Sequence, residues 1–377
     1  MSETTYKVPY TTILDVQRHP NADKLDICTV YGFQVIAQRD KYKVGNEVLY
    51  VPIDSILSQE LEDIIFPTGS KIKLDKKRVR QIRIRGLASQ GMLINKEDLK
   101  TLIDINSMEL EKDYSTELNI TKYEPPFVGL SQTQGKDKQR NRSYEHPLFH
   151  KYNGLESIKW FPTLFKEGEE VVINEKLHGS NARASLLPYN ANTTFKKILK
   201  FLKLAPKAQK CYGSNNVQKQ VYQGRKKHFY EDDVWANTFN KLDVFNKLKL
   251  GETVFGEIIG PGIQANYTYG LKEHRFVLFD VKVLQPDGTQ IWLNPDDVEQ
   301  FAKERGFEYV PVAYKGPYNK ELAYSLTKGP SLYDPKTKVR EGIVIKAKES
   351  YNVDGNKKAL KWVSEDYLDD KNNTDFH

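Results

Sequence analysis

The run Val171-Val172-Ile173-Asn174-Glu175-Lys176-Leu177-His178-Gly179-Ser180-Asn181 carries an apolar strand into a lysine and then into a turn of small and polar residues. A lysine attacks phosphorus or a carbonyl carbon only as the free amine, and burial or neighbouring positive charge is what releases its proton near neutral pH. The small residues after Lys176 would let a phosphate approach the backbone closely. Taken alone, Lys-x-His-Gly is far more often a surface lysine at the end of a strand. Its weight comes from the segments that follow.

Residues 254–260 place Glu257 inside an apolar strand between two glycines. A carboxylate buried there must meet a hydroxyl, a cation or a metal. Residues 276–281 form a second apolar run containing Phe279-Asp280, and an aromatic at Phe276 or Phe279 could stack on a flat base. Glu341-Gly342-Ile343-Val344-Ile345-Lys346 opens a strand with a carboxylate and carries a lysine at its far end, and Lys361 lies in the strand-like run 359–364. In order, these segments supply what nucleotidyl transfer needs: an amine nucleophile, an acid for a ribose, an aromatic for a base, an acid for a divalent metal and cations for a triphosphate. No Gly-x-x-x-x-Gly-Lys loop and no Gly-x-Gly-x-x-Gly fingerprint occurs, so a P-loop or Rossmann design is excluded.

The elements that must hold these residues fall into two groups. Residues 10–95 read as short strands (11–16, 25–30, 33–37, 47–53, 79–84 and 91–94) separated by turn signals such as His19-Pro20-Asn21-Ala22-Asp23, with an irregular excursion near 56–70. That pattern suits a small barrel of the OB type, with a sandwich as the alternative. Pro125-Pro126 ends this unit. The chain is expected to divide into an OB-type nucleic-acid-binding domain over 1–126, a basic linker over 127–146 with Arg140 and Arg142, and a catalytic domain over 147–377. The last mixes strands (171–175, 253–259, 276–283, 342–347) with helices (233–248, 295–305), giving an α+β protein overall.

At 377 residues and a net charge of +7, the chain is globular in composition and mildly basic. That balance alone raises nucleic acid only modestly as a partner. No stretch approaches the ~18 apolar residues of a membrane span, and the first residues do not read as a signal peptide. Cys28 and Cys211 have neither metal-ligand spacing nor a disulfide framework. An intracellular protein, cytoplasmic or nuclear and with no membrane partner, is expected. The basic insertion 188–230 contains ten lysines and arginines and no acidic residue. Within it, Lys196, Lys197, Lys200 and Lys203 share one face of a helical pattern. They form the solvated face of a core-packed helix, a phosphate-contacting surface or a membrane-surface helix.

At these residues the chain resembles the covalent nucleotidyltransferase superfamily of polynucleotide ligases and capping enzymes, whose motifs I, III, IIIa, IV and V follow in this order. It is most similar to the nick-sealing RNA ligases, where motif I reads Glu-Lys-x-His-Gly-Ser/Thr-Asn. Residues 149–156, and the landmarks at 19–25, 85–91 and 121–126, resemble a branch with an OB-type domain ahead of the catalytic one. The resemblance implies an N-terminal OB-type β-barrel followed by an ATP-grasp-like adenylyltransferase domain of antiparallel sheets with flanking helices. It further implies an ATP-dependent enzyme that seals 3′-OH/5′-phosphate nicks in duplex RNA or an RNA/DNA hybrid, using Mg²⁺ or Mn²⁺, with one complete site per chain so that a monomer suffices and no protein partner is required.

By the same resemblance Lys176 is the nucleophile, with His178 and Asn181 acting in later steps. Glu175 would read the adenine edge, Phe279 or Phe276 would stack on the ring, and Glu257 would hold the ribose. Glu341, with Glu257, would bind the metal. Lys346 and Lys361 would hold phosphates, with Arg183 and Lys358 as weaker contacts. Related ligases often carry two motif V lysines one residue apart, whereas here Lys361-Trp362-Val363 has one, and Lys358 has the wrong spacing to share its strand face. Three rival readings remain: a non-catalytic tRNA- or RNA-binding OB protein, which leaves Lys176, Glu257, Glu341 and Lys361 unexplained; a GTP-dependent mRNA capping enzyme; and a DNA ligase, against which the His-Gly-Ser-Asn run after Lys176 argues.

Overall fold

A computed structural model describes residues 6–70, 73–123, 146–152, 154–191, 198, 201–215, 218–219, 233–264, 267–349, 357–371 and 373–374. The chain divides into two compact units. One takes Glu3–Pro126, Leu155–Lys166 and Lys361–His377, and the other takes Met1–Ser2, Phe127–Gly154 and Glu167–Leu360.

The first unit is built from short antiparallel strands: β1 (Tyr10–Thr12), β2 (Asp15–Arg18), β3 (Leu25–Val30), β4 (Phe33–Gln38), β5 (Glu47–Val51), β6 (Ser55–Ile56), β7 (Gln81–Ile84), β8 (Leu87–Gln90), β9 (Met92–Asn95) and β10 (Thr121–Lys122). They pair as β1-β5-β9, β2-β3-β4, β7-β8 and β6-β10. The expected strand 11–16 is two strands, broken at Ile13-Leu14, and the irregular excursion holds a helix, Gln59–Ile65, capped by the Ser58 hydroxyl. The β3–β4 hairpin turns at Tyr31-Gly32, with Tyr31 rather than the glycine in the left-handed region (φ 51°). Gly32 is required by close approach instead: a Cβ there would lie 2.9 Å from the Lys159 backbone. β3 alternates half-buried and buried residues, placing Cys28 and Val30 in a core with Phe33, Tyr50 and Trp160. The C-terminal stretch belongs to this unit. Arg78 pairs with Asp54 in the interior and donates to the carbonyls of Lys371 and Asn373, while Gln81 and Arg83 bond Asp369. Glu156–Ser157 (β11) also lies here.

The second unit carries the chemistry-bearing residues on two antiparallel sheets. In one, β12 (Glu170–Lys176) lies between β20 (Val312–Pro317) and β21 (Gly342–Ala347). In the other, β13 (Ser180–Pro188) is central: β14 (Ala208–Gly213) and β15 (Gln218–Lys219) extend one side, and β16 (Glu252–Ile259), β17 (Arg275–Leu284) and β18 (Gln290–Trp292) the other, with β19 (Glu308–Tyr309) running parallel to β17. Helices Val234–Lys241 and Pro295–Arg305 contribute Phe239, Val298, Phe301 and Ala302 to the core over this sheet. The Asp233 carboxylate caps the first helix through Trp235 N–H and Ala236 N–H. The helix expected over 233–248 stops at Lys241, because Asp243 turns left-handed (φ 51°) ahead of a short 3₁₀ segment. The last strand, β22 (Ala359–Val363), spans the boundary between the units, and its Lys361 is 2 % exposed.

No helix among the described residues is long and apolar enough to cross a membrane. The basic linker with Arg140 and Arg142, and Lys196, Lys197 and Lys200, lie outside the described residues. Lys203 is exposed, and so are Ile198, Phe201, Leu202 and Leu204, so these apolar side chains are not packed on the core as a solvated-face helix would require.

Candidate active site

Lys176 ends β12 and pairs across the sheet with Gly342, which brings Glu341 beside it. The Lys176 ammonium donates to the Glu341 carboxylate, itself 1 % exposed. The turn Leu177-His178-Gly179 then carries the chain from the first sheet into β13 of the second. Gly179 is needed for contact: a Cβ there would lie 2.5 Å from the Ile258 carbonyl and 2.7 Å from Glu257 Cγ. His178 is buried, its backbone N–H donates to the Tyr269 hydroxyl (2.7 Å), its Nδ1 lies 3.5 Å from Glu341 Oε2, and its ring meets Tyr267 edge-on.

Glu257 lies opposite Asn181 on β16. It keeps some accessible surface yet is densely enclosed. Burial pushes its carboxyl up to about 8, opposed by Lys176, reinforced by the like charge of Glu341 and opposed again by the Gly179 backbone. Glu175, 2 % exposed, points to the other side of β12. Its Oε2 accepts the backbone N–H groups of Leu332 (2.7 Å) and Tyr333 (3.1 Å), while Oε1 meets no donor among the described residues. Burial raises its proton affinity against these hydrogen bonds.

The register of β16 with β17 shifts between Phe255 and Gly256, so that Phe279 occupies a bulge. Its carbonyl accepts Lys346 Nζ (2.6 Å), and its half-buried ring meets Tyr152 edge-on at 4.9 Å. Lys346 also pairs with Asp280 at 3.1 Å, and burial lowers its pKa to about 7. The two sheets therefore meet through Lys346 as well as through the Lys176 turn.

Lys176, His178, Asn181, Glu257, Glu341, Glu175, Phe279 and Lys346 thus lie along two adjacent seams of one unit. Three expected residues are placed differently. Phe276 is 1 % exposed among Phe239 and Phe307 in the core and has no face for a base. Arg183 is buried on the Phe149 ring and donates to the carbonyls of Phe149 and Ser214, a structural use of its fork. Lys358 donates to both oxygens of Glu169. Sequence reasoning missed Tyr269, Tyr267, Tyr152 and Lys357. The adjacent Lys357, not Lys358, reaches Asp280, which also accepts the Tyr152 hydroxyl at 2.6 Å.

A lysine at a strand end, two carboxylates near it and a second, buried lysine joining the sheets lie together on a two-sheet scaffold. A family model described as RNA ligase matches residues 169–363, just over half of the chain, and the chain belongs to the RNA ligase family. A model described as an OB-fold domain matches residues 8–96. Among solved structures, a mutant Naegleria gruberi RNA ligase with ATP and Mn is 21 % identical, with a TM-score of 0.72 over 98 % of this chain and 100 % of that one. The same ligase with PPi is 21 % identical, with a TM-score of 0.69 over 97 % and 99 %. At that identity the likeness establishes the fold: an α+β chain with an OB-type domain and a sheet-rich ligase domain. The phenylalanine–tRNA ligase beta subunit of Sulfurimonas denitrificans is 29 % identical over 117 residues, and that of Hahella chejuensis 30 % over 91. This chain spans 13 % and 10 % of their lengths.

Proposed function

We propose that this chain is an ATP-dependent RNA ligase that seals 3′-OH/5′-phosphate nicks in duplex RNA or an RNA/DNA hybrid through a lysyl-AMP intermediate. The observation that carries the reading is the placement of Lys176 at the strand end against Glu341, with Glu257 and His178 around it. In the first step Lys176 Nζ forms a bond to the α-phosphorus of ATP, the α–β phosphoanhydride breaks, pyrophosphate leaves and the amine loses a proton. An oxygen of the 5′-phosphate then attacks the adenylyl phosphorus, breaking the P–N bond and returning a proton to the amine. Finally the 3′-hydroxyl attacks the activated 5′-phosphorus, a phosphodiester forms, and AMP leaves as the hydroxyl proton departs.

The orphaned Glu175 Oε1 suits the exocyclic amine of adenine, a hydrogen-bond donor that guanine lacks at the same position. Phe279 is the base-stacking residue, Glu257 holds the ribose, and Lys346 faces the phosphates. Lys176 attacks only as the free amine, so its contact with Glu341 must give way before the bond to phosphorus forms. The two carboxylates fit a hard divalent cation: they repel one another, and oxygen donors suit Mg²⁺ or Mn²⁺. Among the described residues no group of three or more His, Cys, Asp or Glu could hold a metal alone, which matches a cation completed by phosphates and water. Glu341 and Glu257 would hold that cation, whose chemistry is neutralisation of phosphate charge.

The test is sealing of a labelled nicked duplex in matched all-RNA, RNA/DNA and all-DNA versions, beside a single-stranded RNA of the same length. Sealing of the duplexes with an RNA 3′-OH strand supports the reading. Joining of single strands only, or transfer from GTP without ligation, contradicts it.

A further inference from the structure

Asp280 sits at the centre of a buried charge triad. Its carboxylate accepts Lys346 Nζ on one oxygen, and Lys357 Nζ and the Tyr152 hydroxyl on the other. Lys346, Lys357 and Asp280 are all nearly inaccessible, with side chains 4 %, 8 % and 3 % exposed. The Lys357 ammonium is further held between aromatic faces, 4.9 Å from the Tyr152 ring centre and 4.6 Å from that of Trp292. Two ammonium groups therefore share one carboxylate, and the excess positive charge lies in a medium where burial disfavours it. Burial works against both ammonium groups, lowering the pKa of Lys346 to about 7 and that of Lys357 well below the usual lysine range, so the charged forms depend on the carboxylate they share.

If Lys346 were the only partner of Asp280, the pair would be neutral and would offer an incoming anion nothing beyond a dipole. With Lys357 locked onto the second oxygen, Asp280 is already compensated and Lys346 is the surplus charge. We propose that Lys357 is a positioning residue: it neutralises Asp280, from outside the strand that carries Lys361, and so leaves Lys346 as a net cation for the polyphosphate of the nucleotide. The proposal rests on the ligase reading for the identity of that anion. It explains why one motif V lysine suffices here, since the second positive charge comes from Lys357 in the approach to β22.

Binding of inorganic pyrophosphate by calorimetry, with and without Mg²⁺, tests it on the full chain, together with thermal melts. Lys357→Met is expected to weaken pyrophosphate binding by about 10- to 100-fold, the worth of one charge-assisted contact. Lys357→Arg keeps the charge and is expected to retain most of the affinity. In Lys357→Met/Asp280→Asn the carboxylate that captured Lys346 is gone, so affinity is expected to recover above that of Lys357→Met alone. A purely structural lysine predicts the opposite, with losses that add in the double variant and no recovery. If Lys357→Met fails to fold, the Arg variant and the double variant carry the test: loss of binding in both, with native melts, overturns the proposal. Lysyl-AMP formation by the wild type is scored in the same preparations. Its absence overturns the ligase reading and this proposal with it, whereas an adenylylating wild type with unchanged pyrophosphate binding in Lys357→Met overturns only the role of Lys357.

Discussion

Glu257→Gln should stabilise the ligand-free protein while abolishing its adenylylation, and the stabilisation should depend on pH in a defined way. The carboxyl of Glu257 is pushed up to about 8 from an ordinary 4.5, chiefly by burial. A carboxyl held more tightly protonated in the folded state contributes stability that is complete below 4.5 and is lost as pH rises towards 8. Each unit in that window is worth about 1.4 kcal/mol, so wild type at pH 7 forgoes up to about 3 kcal/mol relative to its own acid form. That figure is an upper bound, because part of the side chain remains accessible to water and to screening. Glutamine has the same shape and cannot ionise, so the gap between variant and wild type should open from nothing near pH 4.5 and widen through pH 8. Urea melts of pyrophosphate-stripped protein at half-unit pH steps read this directly. A gap that is independent of pH, or that narrows as pH rises, would refute the assignment of Glu257 as an enclosed carboxyl repelled by Glu341.

Three further outcomes follow from the geometry. Glu175→Gln replaces the orphaned acceptor and disturbs the Leu332 and Tyr333 N–H bonds. It should raise the KM for ATP in adenylylation about 10-fold or more and narrow the preference over GTP, as measured by labelling with each nucleotide. Arg78→Ala leaves Asp54 buried without its cation and removes the donor to the Lys371 and Asn373 carbonyls, so the melting transition of the OB-type unit should drop by an amount equivalent to about 3–5 kcal/mol. Combined neutralisation of Lys196, Lys197, Lys200 and Lys203 should weaken binding to a nicked duplex and flatten its dependence on salt by up to about three to four ions, as followed by anisotropy across a salt series. An unchanged salt slope would remove the insertion from the nucleic-acid interface.

The elements that hold the site were readable where apolar runs are bounded by turn residues. Strands β12, β16, β17 and β21 begin and end within a residue or so of their expected limits. The resemblance favours Phe279 over Phe276, but their burial is not readable in the sequence, because residues 276–279 are apolar throughout. A bulge leaves Phe279 half-buried while Phe276 stays in the core, and a bulge depends on the partner strand. Lys357 was missed for a similar reason. It stands in a polar stretch next to Lys358 with no local signal for which lysine turns inward, and the answer lies in Asp280, Tyr152 and Trp292, distant in sequence. Tyr269 was invisible because its use is a hydroxyl offered to a backbone N–H across the unit. The C-terminal residues after β22 read as part of the catalytic domain by continuity of sequence, whereas their contacts with Gln81, Arg83 and Arg78 arise only from folding.

Lys176 is the proposed covalent nucleophile. Incubation with α-labelled ATP and, separately, α-labelled GTP in Mg²⁺ or Mn²⁺, followed by a denaturing gel with Lys176→Ala alongside, addresses that role most directly. Pyrophosphate treatment beforehand strips any adenylate already attached. An acid-labile label from ATP is expected on the wild type and none on Lys176→Ala. A label that persists in Lys176→Ala, or a wild type that takes none from ATP with either metal, would contradict it.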